Sequence, residues 1–272
     1  MIELNKFING GIKLIVTVIG NDKRQSRLAH LLNKKYDTIY LSGNEDIKTA
    51  KNIVKISDVI ILPLPLTRDK KTINTTDYNC DEILSSINNN AHIFGGMCDN
   101  LNFSGKITDY NCDEFFTLKN ALYTAESAVA LAIMNTDFSL NNAEILILGN
   151  GRIGKYLSKI LSSFCDNITV SARREKDFKY IQNHKLKSVN TNEISSLENY
   201  DVIFNTIPER ALQDTAINSI SNNTLVIDLS SKNSGLKNSS RYIDAKALPC
   251  KYCEQSAAET LYHTINKHLS NK

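Results

Sequence analysis

The chain lacks the features that would place it in several large classes of protein. It has little net charge. Its 32 Lys and Arg against 29 Asp and Glu leave +3 over 272 residues, which argues against a nucleic-acid or anionic-membrane partner. No apolar stretch approaches the length of a membrane span. The opening segment MIELNKFINGGIKLIVTVIG is broken by Glu and Lys and offers no small-residue cleavage site, so no secretory signal is expected and the expected compartment is the cytoplasm. The cysteines Cys80, Cys98, Cys112, Cys165, Cys250 and Cys253 are then expected as reduced thiols. Cys250 and Cys253 form a single C-x-x-C with no second pair to complete a zinc site, and no metal is expected. Histidine is missing from the obvious strand ends: His92 opens an apolar run, while His263 and His268 lie in the last helical segment.

What is present is a globular composition, 42% hydrophobic and 22% charged, in a chain long enough for one or two full cores. Short apolar runs alternate with helical patterns. KLIVTVIG, DTIYLS, DVIILPLP and AHIFGG form one series, and EILILG, NITVSA, DVIFNTIP and TLVIDLS a second. Such runs, each followed by a crossover helix, predict parallel sheets covered on both faces, so the fold class is α/β with two doubly wound units. Between the series, Leu122, Ala125, Val129, Ala132 and Ile133 share one helical face and predict a connecting helix over residues 121–138. The expected division is residues 1–120 for the first unit, 139–253 for the second, and a terminal helix over 254–272 packing back on the first through Ala258, Leu261, Ile265 and Leu269.

The segment EILILGNGRIGKYLSKIL carries G-x-G-x-x-G at Gly149, Gly151 and Gly154. It follows a strand and opens a helix, the context a dinucleotide site requires. Gly149 allows the tight turn, Gly151 admits a pyrophosphate to the backbone, and Gly154 lets helix and strand pack closely. The N–H groups at Arg152, Ile153 and Gly154 then meet the phosphates at a positive helix end. The next strand closes on SARR. Where an NAD site often carries a carboxylate for the ribose, this chain has Ser171, Arg173 and Arg174, which favours a 2′-phosphate and hence NADP, with NAD possible. Asn205, Thr206 and Pro208 end the following strand, and Asp228 and Ser230 the one after. All are candidate cofactor contacts.

The first unit has one glycine, Gly20, in VIGNDKRQ and so no pyrophosphate turn. Asp22 and Arg24, with Thr67 and Arg68 after LPLPL, lie at strand ends where ligands bind in such sheets and are the substrate-binding candidates. Either arginine suits a carboxylate, and either suits a solvated loop.

VIGNDKRQ, ILPLPLT, YTAESAVALAI, LILGNGRIGKYLSKIL, VSARR, NTIP and VIDLSS occur in this order between Val18 and Ser231. Together they resemble the family of A-type subunits of dipicolinate synthase. The resemblance implies two Rossmann-like domains joined by a helix, in a D-2-hydroxyacid dehydrogenase-like arrangement. It also implies a nicotinamide cofactor, a small dicarboxylate substrate oxidised from dihydrodipicolinate to dipicolinate during sporulation, and the flavoprotein-like B-type subunit of dipicolinate synthase for a partner. The chain is expected to form a homo-oligomer and to act in the mother cell. It departs from the family pattern where Ser127 follows TAE in place of glycine, and where Cys250 and Ala258 stand for glycines near the end. For the chemistry, Thr124, Lys251 and Arg24 are the candidate carboxylate ligands and Glu126 the candidate base. Thr124 as a helix N-cap with Glu126 in the first turn is an equally ordinary reading. Two alternatives remain. A D-2-hydroxyacid dehydrogenase would need an Arg where Lys232 stands and a late His–Glu pair. The other is a non-catalytic NADP-binding protein.

Overall fold

A computed structural model of the chain describes residues 13–98 and 105–270. The chain divides into two units. One holds the described residues up to Lys119 and from Cys253 onward, and the other Asn120–Tyr252.

The first unit runs β1 (Ile15–Ile19), α1 (Lys23–Leu32), β2 (Asp37–Leu41), α2 (Ile47–Ile56), β3 (Val59–Ile61), α3 (Cys80–Ser86), β4 (His92–Gly95) and β5 (Ile107–Asp109). Its sheet has the order β2-β1-β3-β4-β5 with every pair parallel. Each helix start is fixed by a side chain that replaces a missing helical acceptor. Asp22 accepts from Gln25 N–H, Asp46 from Thr49 N–H and Asn79 from Glu82 N–H.

The long helix α4 (Glu114–Met134) leads into β6 (Ile145–Leu148), α5 (Arg152–Leu161), β7 (Ile168–Ala172), α6 (Glu175–Asn183), β8 (Lys187–Asn190), β9 (Val202–Asn205), α7 (Asp214–Asn218), β10 (Leu225–Asp228), β11 (Arg241–Asp244) and α8 (Leu248–Tyr252). This second sheet has the order β11-β10-β9-β6-β7-β8, again all parallel. Counted from β6, that is the 3-2-1-4-5-6 order of a dinucleotide-binding Rossmann sheet. The expected α/β class with two doubly wound parallel sheets is therefore what the chain forms. Every residue of β3, β6, β9 and β10 is buried, as strands covered on both faces must be.

The last helix, α9 (Glu254–Ser270), belongs to the first unit. Its Ala258, Leu261, Ile265 and Leu269 are buried with Leu28, Ala29 and Leu32 of α1. Burying a leucine or isoleucine side chain stabilises by roughly 1.5–3 kcal/mol, as an upper estimate, so α9 is part of that core rather than an appendage.

The connecting helix differs from the sequence expectation of 121–138. It begins at Glu114, because Asp113 accepts from Phe116 N–H at 3.0 Å and so caps it, and it ends at Met134. Thr124 therefore lies mid-helix and is no N-cap. Its hydroxyl donates back to the Asn120 carbonyl at 2.7 Å. The expected apolar face holds at Ala125, Val129 and Ala132, but Ile133 is exposed. Residues up to Lys119 of this helix go with the first unit and the rest with the second. Among the described residues, no helix is long and apolar enough to cross a membrane.

Candidate functional site

In the second sheet the chain direction from strand to strand reverses between β6 and β9. The crevice at the carboxyl ends of such strands is where open α/β sheets bind ligands. The glycine turn sits there. Gly149 has φ +97°, a conformation that L side chains rarely adopt, and a Cβ on it would stand 2.8 Å from Thr206 Oγ1. A Cβ on Gly154 would stand 2.1 Å from the Gly149 carbonyl oxygen, so α5 approaches the turn closer than any side chain allows. Gly151 is the opposite case. A Cβ there would meet nothing within 4 Å, and as N-cap of α5 it supplies no side-chain bond. The first bond of this helix runs from Lys155 N–H to the Gly151 carbonyl (3.0 Å). The N–H groups of Arg152, Ile153 and Gly154 precede it and have no helical acceptor. The backbone at Gly151 thus forms a bare cradle suited to a pyrophosphate.

Two hydroxyls hold the turn from behind. Ser171, fully buried at the end of β7, accepts from Gly149 N–H (3.2 Å) and is bonded to the Thr191 hydroxyl (3.0 Å). The Thr206 hydroxyl donates to the Leu148 carbonyl at 2.8 Å. In front lies a cavity of about 370 Å³. Of the sequence candidates it gathers Gly149, Gly151, Arg173, Arg174, Thr206 and Pro208. It adds Asn150, Ala172, Asp177, Thr191 and Ile207.

Asn205, Asp228 and Ser230 lie elsewhere, in a buried knot at the ends of β9 and β10. Asp228 accepts from Asn205 Nδ2 (2.9 Å), Ser230 N–H (3.0 Å), the Tyr242 hydroxyl (2.8 Å) and the Ser234 hydroxyl. Burial pushes its carboxyl up, but the bonds from Ser234, Ser230 and Asn205 outweigh that and hold it below the ordinary value. The same pairing, after burial, pushes the Tyr242 phenol up. The knot fixes the strand ends beside the turn.

Sequence reasoning missed Asp177 and Asn150. Asp177 is the third residue of α6, with a side chain 9% exposed. Arg174 Nε donates to its Oδ2 at 2.6 Å and Asn150 Nδ2 to its Oδ1 at 3.4 Å. The acceptor Asn150 Oδ1 is buried without a partner. The signal was in the sequence: in RREKD the acid stands three residues after Arg174, within reach at a helix start. Arg173 is exposed and, among the described residues, makes no hydrogen bond or ion pair.

In the first unit, Asp22 and Arg24 come together after β1. Arg24 is 1% exposed, with Nη2 at 3.4 Å from both Asp22 Oδ2 and the Leu64 carbonyl. Thr67 and Arg68 occupy a separate turn, where Thr67 bonds Asp69 (3.1 Å) and the exposed Arg68 bonds Asn74 (3.2 Å). Of the chemistry candidates in the second unit, Thr124 is buried in α4, Glu126 is exposed two residues on, and Lys251 is exposed in α8.

Comparison with known proteins agrees with this architecture. Residues 15–103 match the family model for the N-terminal domain of the dipicolinate synthase A-type subunit. The A-type subunit of dipicolinate synthase from Bacillus subtilis (strain 168) is 26% identical, across 94% of this chain and 96% of the relative. The crystal structure of the corresponding protein from Bacillus halodurans superposes with a TM-score of 0.80 at 19% identity, covering 95% of this chain and 98% of that one. The apo-structure of D-lactate dehydrogenase from Escherichia coli shares the fold at a TM-score of 0.61 and 10% identity, covering 93% of this chain and 95% of that one. Through its N-terminal unit and along nearly its whole length, the chain is similar to the A-type subunits of dipicolinate synthase.

Proposed function

We propose that the chain is a nicotinamide-dependent oxidoreductase that oxidises dihydrodipicolinate to dipicolinate, with NADP as the preferred cofactor. The observation that carries this reading is the turn at Gly149, Gly151 and Gly154, a bare helix N-terminus at the switch point of a Rossmann sheet, in a chain matched along 94% of its length by the dipicolinate synthase relative.

Aromatising a dihydropyridine removes one hydride and one proton, and a bound nicotinamide supplies the hydride acceptor. The residues of this chain bind, orient and deprotonate. Gly151 and the N–H groups after it hold the pyrophosphate. Arg173 and Arg174 hold the 2′-phosphate, because guanidinium donors match phosphate oxygens in geometry and charge. Arg24, kept in place by Asp22 and the Leu64 carbonyl, and Lys251 are each candidates for a substrate carboxylate. Glu126 is the candidate proton acceptor. The Thr124 proton is already donated to Asn120, so this residue offers a substrate only its lone pairs. We further propose the flavoprotein-like B-type subunit for a partner, a homo-oligomeric state, and a setting in the cytoplasm of a sporulating mother cell.

The test supplies the chain with the product of dihydrodipicolinate synthase and NADP⁺, with and without a candidate B-type partner, and follows absorbance of the pyridine ring. Chain-dependent growth of that absorbance is expected. Tight NADPH binding with no turnover in either arm would establish the non-catalytic reading instead. Turnover of a 2-hydroxy acid would establish the dehydrogenase reading, against which Lys232 stands where that chemistry places an Arg.

A further inference from the structure

A carboxylate beside the ribose end of a Rossmann site ordinarily marks preference for the unphosphorylated cofactor, since it accepts from the 2′-hydroxyl and repels a 2′-phosphate. Asp177 lines the cavity in front of the glycine turn together with Arg173 and Arg174. Its oxygens are already occupied. Oδ2 accepts from Arg174 Nε at 2.6 Å and Oδ1 from Asn150 Nδ2 at 3.4 Å, and the side chain is 9% exposed. A carboxylate only accepts, so it dictates the orientation of the Asn150 amide, whose nitrogen faces Asp177 even though Oδ1 is then buried without a donor. An orphaned buried acceptor costs free energy. That cost is tolerated here in favour of fixing the carboxylate.

The pairing through Nε is what matters for Arg174. A guanidinium has five N–H donors in a planar fork. Bonded at Nε, it keeps the four N–H groups of its two terminal nitrogens for an anion, and its plane is fixed relative to α6. Unpaired, a side chain 65% exposed would sample many rotamers and lose conformational entropy on meeting a phosphate.

We infer that Asp177 is a positioning residue for cofactor specificity: it holds Arg174 by Nε, braced on the other side by Asn150, so that Arg174 takes a 2′-phosphate rather than Asp177 taking a 2′-hydroxyl. This rests on the dinucleotide reading of the glycine turn.

Nicotinamide fluorescence gives a direct titration, and the chain has no Trp to compete with it. NADPH and NADH are titrated against the parent and against Asp177→Ala, Arg174→Ala and the double variant. 2′,5′-ADP and 5′-AMP serve as competitors that isolate the 2′-phosphate. Asp177→Ala is expected to weaken NADPH and 2′,5′-ADP about fivefold, the scale of an exposed ion pair, and to leave NADH and 5′-AMP unchanged. Added to Arg174→Ala, it is expected to have no further effect on NADPH. Tighter NADPH binding by Asp177→Ala would overturn the proposal by showing that the carboxylate repels the phosphate. Equal losses for both cofactors, an unchanged ratio, or a full effect persisting in the Arg174→Ala background would overturn it as well. A parent that binds none of the four nucleotides would instead refute the dinucleotide reading itself, and this proposal with it.

Discussion

The two units place a helix after their first central strand, yet the two helix starts are chemically opposite. After β1, Asp22 caps α1 with its own carboxylate, accepting from Gln25 N–H at 2.9 Å, and Arg24 pairs with the same acid. The Gln25 donor and the positive dipole end meet an acid from within the chain. After β6, α5 opens on Gly151, which offers no side chain, and a Cβ there would meet only open space. The sheets share all-parallel construction. Capacity for an anion thus resides in the residues of the turn, Gly151 foremost, rather than in the fold. An acid at that residue closes the site, and a glycine leaves it open.

The comparison is broken most severely by exchanging those residues. Gly151→Asp should give α5 the self-cap of α1 and lower affinity for both NADPH and NADH by about a hundredfold or more. The thermal midpoint should not fall, because a capped helix is no less stable. Titration beside a melting curve checks both halves, and unaltered binding would show that the turn does not hold the pyrophosphate.

The next effect concerns charge. Changing Arg173 and Arg174 together to Ala should erase an NADPH preference of about tenfold at low salt, with NADH affinity nearly intact. A parent with equal affinities would remove the basis for assigning NADP.

A smaller effect is expected on the closed side. Asp22→Ala removes the α1 cap, which is worth about 1 kcal/mol, and the acid paired with the buried Arg24, and should lower the melting temperature of the first unit by more than the roughly 2–4 °C of the cap alone. Nucleotide binding, a property of the second unit, should be unchanged.

A separate effect is a pH dependence confined to the first unit. Burial pushes the Glu45 carboxyl up, but the hydroxyl of Tyr78 (2.7 Å), its own backbone N–H and the N–H and hydroxyl of Ser42 outweigh it and bring it from 4.5 to about 2. A carboxyl lowered on folding stabilises above its unfolded value and loses that contribution as pH falls through the folded one. The stability difference between the parent and Glu45→Gln should therefore be constant above pH 4.5 and shrink between 4.5 and about 2. Denaturant melts across that window check it, and a difference that grows with acid would contradict the assignment.

The sequence made the interior strands legible and three of the four sheet margins illegible; the fourth, β2, is an edge too but carries its own apolar Ile39, Tyr40 and Leu41. β1, β3, β4, β6, β7, β9 and β10 are apolar runs buried on both faces, and each is visible as such. The strands without such a signature are β5 (ITD), β8 (KSVN) and β11 (RYID), and each is a sheet edge whose residues are half-buried or exposed. An edge strand is specified by its single neighbour, not by its own apolar content. The same distinction governs the site. The three glycines were readable because backbone contacts demand them at fixed spacing. The start of α4 was not, because its cap Asp113 lies in a polar stretch ahead of the apolar pattern. Nor was the Asn150–Asp177 contact, which joins residues 27 apart in sequence through the crossing of a turn and a helix.

The return of α9 to the first unit has a consequence for the order in which the molecule is made. Residues 120–252 form one uninterrupted stretch, whereas the first core needs Leu28 and Leu32 from the start of the chain together with Leu261 and Ile265 from near its finish. During synthesis at about 5–20 residues per second, residues 120–252 are made before the helix that fills the α1 face. The part translated first is thus the part completed last.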